Sequence, residues 1–232
     1  MKILFLSSWF PYPPINGAKI RIYNLVRELA QYHEIALIAF ARSIPIEEAR
    51  ANVPVLEQFC KSVDVVPIKQ FEAGGFAAYK GFVSTKPRVV TQTYSLEMEN
   101  LIRKRVAESR FDVVIASEVG APSAVSLLAS KIDGVPKILD ALEVGLFKDA
   151  YNNQTVAQDR IRSGLTWFKQ RNFTRQMLRQ ADGCTVPSVQ EQRNLLEIIN
   201  DPAFIKVVPH SLDLSYYAEA YAPPKPGSMV FT

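Results

Sequence analysis

Short apolar runs along this 232-residue chain are followed, one after another, by side chains that can exchange hydrogen bonds or protons. In order they are Ser7 and Ser8, Arg42 and Ser43, Ser117 and Glu118, Asp140 and Glu143, Ser188, and His210 with Ser211 and Asp213. Hydroxyls, carboxylates and an imidazole held in fixed directions are what a ligand rich in hydroxyl groups requires, so the set reads as one polar rim facing a sugar. Taken singly, each residue is also a good cap or turn former. Ser188 ahead of Val189-Gln190-Glu191 has the spacing of a helix N-cap with an acidic partner three positions on. Arg21 falls in the first turn of a helix, where a cation opposes the dipole but is well placed to meet an anionic ligand.

Other chemistries lack their residues. No Asp pair at i, i+2 is present to hold a divalent metal, and His33 and His210 fit no zinc spacing. The strand-to-helix turns carry neither G-x-G-x-x-G nor G-x-x-x-x-G-K-[ST], so a glycine-lined phosphate cradle is not expected. G-x-S-x-G is missing too, which removes the hydrolase nucleophile elbow. No metal and no resident cofactor are expected.

The elements that must position the rim alternate strictly. Lys2 to Ser8 is an all-apolar strand start, and Ile22, Leu25, Val26, Leu29 and Ala30 then recur with helical spacing. Between them Pro11, Pro13, Pro14, Trp9, Phe10 and Tyr12 make a semi-rigid wall, with Asn16-Gly17 expected to supply the turn into the helix. Strands are expected at Glu34–Ala41, Val63–Ile68, Phe111–Ala116, Pro136–Asp140, Gly183–Pro187 and Ile205–Pro209. Helices are expected over Ile46–Lys61, interrupted at Pro54, then over Glu97–Ser109, Pro122–Lys131 and Val189–Asn200. Residues 70–92 read as a helical excursion of unspecified shape. The fold class is therefore α/β: a Rossmann-like, doubly wound, mostly parallel sheet with helices on both faces. In such sheets ligands lie beyond the carboxyl ends of the strands, where the rim residues fall.

The net charge of +4 is concentrated. Between Gln158 and Asp182 stand Arg160, Arg162, Lys169, Arg171, Arg175 and Arg179 against Asp159 and Asp182. A long basic helix there could rest on anionic lipid. Its arginines point in different directions, however, and the Ile161/Leu165/Phe168 stripe does not continue into Phe173 and Met177, so a solvated, partly packed helix is the better reading. Cys60 and Cys184 are expected as reduced core residues. No apolar run approaches the length of a spanning helix or of a signal h-region, and a cytoplasmic chain, with the inner face of the membrane as an optional contact, is expected. Residues 1–221 form one domain on this reading. Residues 222–232, starting Ala222-Pro223-Pro224, read as a linker and the first strand of an absent second domain.

The run Ile3-Leu4-Phe5-Leu6-Ser7 with Pro13-Pro14-Ile15-Asn16-Gly17-Ala18-Lys19-Ile20-Arg21, then Phe111-Asp112-Val113-Val114, Ala181-Asp182 before Val186-Pro187-Ser188, and Val207-Val208-Pro209-His210-Ser211-Leu212-Asp213 resemble the family-4 type of GT-B glycosyltransferases. The likeness spans essentially the whole chain as the N-terminal, acceptor-binding half of that two-domain fold. It departs where Ala18 stands for a second glycine, Ser117 for a histidine, and His210-Ser211-Leu212 for Asn-Gly-Val. The resemblance implies transfer of a sugar, with retained configuration, from a nucleotide-sugar co-substrate to a glycan or lipid-linked acceptor, without a metal. It implies that residues 1–232 alone are inactive. Glu118 and Asp140 are the candidate catalytic residues; Asn16, Gly17, Ala18, Arg21, Ser117, Glu143, Ser188 and His210 are the candidate substrate contacts. The alternative is a stand-alone, non-catalytic binding module. Nucleic acid is not an expected partner.

Overall fold

The structure, a computed structural model, describes residues 1–69 and 84–211. Expectations for residues 70–83 and for the linker and terminal strand at 222–232 lie outside the described residues. Seven strands form one sheet in the order β3-β2-β1-β4-β5-β6-β7, every neighbouring pair parallel. They are β1 Lys2–Ser7, β2 Glu34–Ala41, β3 Ser62–Pro67, β4 Val113–Gly120, β5 Lys137–Leu142, β6 Gly183–Val186 and β7 Ile205–Val207. The order reverses between β1 and β4, so the switch point opens at Ser7 and Ser117, which are paired in register.

Alternation explains why these runs read as wholly apolar. Leu4, Leu6, Ile38 and Phe40 enter the core on one face; Ile3, Phe5, Leu37 and Ala39 enter the core on the other. A parallel strand covered on both sides needs apolar residues at every position. Helix α1 (Gly17–Ala30), α2 (Ile46–Ala51) and α3 (Val53–Leu56) cover the second face, with Ile22, Val26, Ala49 and Leu56 buried. The other face is covered by α4 (Arg88–Thr93), α5 (Leu96–Glu108), α6 (Ala124–Ala129), α8 (Ala157–Leu178) and α9 (Val189–Leu196). The α2/α3 break falls next to Pro54 as expected. Cys60 and Cys184 are free and buried, and burial pushes the Cys60 thiol up to about 12.

Three local readings are corrected. Asn16 caps α1, its side chain accepting from the Lys19 amide at 3.0 Å, from an extended backbone. Gly17 has an ordinary negative φ, and a methyl group there would meet nothing within 4 Å, so the turn does not depend on glycine. A helix not anticipated from the sequence, α7 (Gly145–Asn152), follows β5. Finally, Ser188 does cap α9, accepting from the Glu191 amide at 3.2 Å. Glu191, however, does not turn back to close the box. Its carboxylate crosses to α7 and accepts from the amides of Val144 at 2.8 Å and Gly145 at 3.1 Å. The first amides of a short helix have no partner of their own, and a tertiary carboxylate outcompetes the local one.

Glu191→Ala therefore unties two helices at once. We expect a loss of about 2 kcal/mol and a melting temperature lower by roughly 4–8 °C, read by thermal denaturation; a change below 1 °C would show that Glu191 is not the clamp.

Candidate functional site

The carboxyl edge of the sheet is organised around Asp140, on β5. Its Oδ1 accepts from the Arg21 guanidinium at 2.9 Å and from the Thr185 hydroxyl at 2.6 Å; its Oδ2 accepts from the Ser117 hydroxyl at 2.7 Å. The Arg21 and Asp140 side chains are only 3% and 4% exposed. The anion that Arg21 meets is thus the chain's own carboxylate, and neither charge is free for a ligand. The second arm of Arg21 donates to the Val208 carbonyl at 2.7 Å, and Asn24, one turn along α1, donates to the Ser211 carbonyl at 3.0 Å. Helix α1 thereby holds the backbone that leaves β7.

Glu118 is equally committed. It accepts from the amides of Ser123 and Ser126, both at 2.8 Å, and from their hydroxyls at 2.6 and 2.7 Å. A buried carboxylate with four donors is the cap of α6, which lacks one from its own N-cap side chain. Two of the sequence candidates for catalysis, Glu118 and Asp140, are therefore placed as buried supports of the edge rather than as exposed groups.

The backbone here is unusual. Ser43, Val119 and Ala141 have φ of 58°, 46° and 56°, and each follows or ends a strand at this same edge. A β-branched valine in the left-handed region is strained. The register of β4 and β5 shifts between Ser117 and Gly120, and the Thr185 hydroxyl that serves Asp140 also receives the Ala141 amide at 3.1 Å. Thr185 escaped the sequence reading because it sits between Cys184 and Val186 in what reads as a core strand.

Around this buried centre lie groups that remain reachable. His210 is exposed; partial burial and then the positive Arg21 lower its proton affinity against Asp140's pull, so its imidazole is neutral at neutral pH. Glu143 is half-buried, and burial together with Glu191 raises its carboxyl above the ordinary range while Arg21 opposes. Arg42 lies over the Trp9 ring at 5.2 Å; burial disfavours its charge and Glu118 restores part of it. The wall loop packs on its own helix, Tyr12 against Tyr23 with ring centres 6.1 Å apart. Asn16 and Gly17 are exposed and Ala18 half-buried at the head of α1, and Ser188 serves α9; no described bond joins these four to the Asp140 centre. Two cavities of about 240 and 540 Å³ lie elsewhere, one between α5 and the end of α6 and one at the amino edge beside Met1 and His33. Among the described residues no cluster of His, Cys, Asp or Glu could hold a metal ion.

Two substitutions separate support from chemistry. Asp140→Ala strands a buried arginine and should cost about 3–5 kcal/mol, with Arg21→Met added to Asp140→Leu recovering most of it; equal losses in single and double variants would contradict the pairing. Glu118→Gln keeps one accepting oxygen and should cost about 1 kcal/mol, against about 3 for Glu118→Ala. Loss of activity in Glu118→Gln at unchanged stability would instead mark the carboxylate as chemical.

No curated protein sequence matches the chain significantly. Among solved structures, the UDP-GlcNAc 2-epimerase of Methanocaldococcus jannaschii is similar at 15% identity and a TM-score of 0.48, over 90% of this chain and 46% of that one. Anabaena Alr3699/HepE, in complex with UDP-glucose, is similar at 14% identity and 0.49, over 94% and 46%. Phytolacca americana UGT2, with UDP-2fluoro-glucose and pterostilbene, is similar at 10% identity and 0.47, over 90% and 53%. The chain thus spans about half the length of these structures. The model of the glycosyl transferase 4-like domain matches residues 16–210, most of the chain, and the chain belongs to that family.

Proposed function

We propose that this chain is the acceptor-binding half of a retaining GT-B glycosyltransferase, which moves a sugar from a nucleotide-sugar donor to a glycan or lipid-linked acceptor. The observation that carries the reading is the composition of the carboxyl edge: a buried, self-neutralised Arg21–Asp140 centre surrounded by the accessible His210 and Glu143. Neutral imidazole and a carboxyl group suit the hydroxyls of an acceptor, each able to accept their protons in hydrogen bonds.

In the reaction the bond from the sugar's anomeric carbon to the donor phosphate breaks, a bond to the acceptor oxygen forms, and the acceptor's proton leaves. Orienting that hydroxyl is work for groups held in fixed directions, and the three bonds to Asp140 fix the edge that carries them. Stabilising the departing diphosphate needs free positive charge or helix N-termini. At the described edge, Arg21 is matched by Asp140, and Arg42 is held over Trp9 beside Glu118's charge. That pairing supports a reading in which the donor's diphosphate is met by a second domain of the whole protein.

The test is an assay of the whole protein with a panel of nucleotide sugars and acceptors, following the anomeric proton coupling of the product by NMR. Turnover with retained configuration is expected from the whole protein, and none from residues 1–232 alone. Inverted product, or turnover by the isolated chain, would overturn the reading.

A further inference from the structure

Helix α8 is longer than the sheet it covers. Its 22 residues span about 33 Å, whereas the strand it feeds, β6, has 4 residues and spans about 13 Å. Because β6 is parallel to the rest, α8 must end at the amino edge and begin at the carboxyl edge. The buried residues Gln170, Phe173, Thr174, Met177 and Leu178 all lie in its second half. Residues 155–162 are exposed without exception. The first half of α8 overhangs the edge that carries Asp140.

That overhang is not simply polar. Ile161 is 75% exposed and Phe168 61% exposed. At about 100° per residue, Leu165 and Phe168 lie within about 40° of Ile161, while Gln170, Thr174 and Met177 lie on roughly the opposite side. The helix thus has two apolar stripes back to back, one buried in its second half and one exposed in its first. Summed together they cancel, which is why its sequence shows no single amphipathic face. The exposed stripe is flanked by cations: Arg162 and Lys169 fall about 80–100° to one side, and Arg160 and Arg171 a similar angle to the other. Asp159, the only acidic residue of the helix, projects away from the stripe.

We infer that the Ile161/Leu165/Phe168 stripe of α8, exposed at Ile161 and Phe168 and half-buried at Leu165, docks on an anionic lipid surface. Apolar side chains between two rows of basic ones are the arrangement that inserts at the headgroup boundary of such a surface. A second copy of this chain fits less well, because two-fold pairing of the stripe would set the same arginines against each other. Among the described residues no helix is long and apolar enough to cross a membrane, so the contact is peripheral. The surface is assigned independently of catalysis; only its use rests on the function proposed above, since it would bring the carboxyl edge to an acceptor carried in a membrane.

The experiment is flotation of the chain with vesicles of phosphatidylcholine alone and with about one quarter phosphatidylglycerol, for wild type and for Ile161→Ser with Phe168→Ser. Both positions are exposed, and an unchanged melting curve verifies the fold of the variant. Binding is expected only with the anionic vesicles, with a loss of at least about tenfold in the double variant. Equal binding by variant and wild type, indifference to phosphatidylglycerol, or no binding at all would overturn the inference. Concentration-dependent dimers that the same variant abolishes, with no flotation, would give the stripe to a second copy instead. Because the readout requires no turnover, its failure leaves the glycosyltransferase reading intact, and an inactive protein that floats leaves the docking surface intact.

Discussion

A single buried ion pair holds the two halves of the sheet to one helix. Arg21 and Asp140 are 119 positions apart in sequence, come from α1 and β5, and lie on opposite sides of the switch point. Burying two charges is unfavourable unless geometry and additional hydrogen bonds compensate, and here both hydroxyls, Ser117 and Thr185, complete the shell of the carboxylate. The arginine's free arm then takes the Val208 carbonyl. Strands β4, β5 and β6 and the exit from β7 are consequently referred to the same point. An arginine in the second turn of α1, still near the positive end of the helix dipole, is explained by that tertiary demand.

The strands and most helices were legible because a parallel sheet buried on both faces leaves an unmistakable sequence pattern: runs such as Ile35-Ala36-Leu37-Ile38 with no polar interruption. The alternation with helices then restricted the topology. Helix α7 was not legible. Its run Gly145–Asn152 is only eight residues long and has no side-chain cap of its own, because the cap comes from Glu191, 46 residues further on. The rim was legible as a list of polar residues after strands, and the structure does gather Ser117, Asp140 and Arg21 there. Which of them face each other was not legible. Asp140 and Glu143 look alike in sequence, yet one is enclosed by three donors and the other is half-buried with a raised proton affinity. Burial and partner count, not residue type, make that difference.

The strained positions repeat the lesson on the backbone. Val119 and Ala141 carry side chains that disfavour positive φ, and nothing in their identity signals it. They are held by neighbours: Ala141 by the Thr185 hydroxyl, and Val119 by a stretch in which Glu118 is anchored through four bonds. An edge that stores strain is one that cannot relax independently of its supports.

The brevity of β7 also bears on what the sheet offers to a strand from another chain. The described sheet ends there on three residues, Ile205–Val207, with Lys206 exposed in the middle and Pro209 two positions beyond the end. At its other margin β3 closes on Pro67. A margin of that length, charged and stopped by proline, offers few unpaired amides to an incoming strand, which discourages edge-to-edge aggregation of copies.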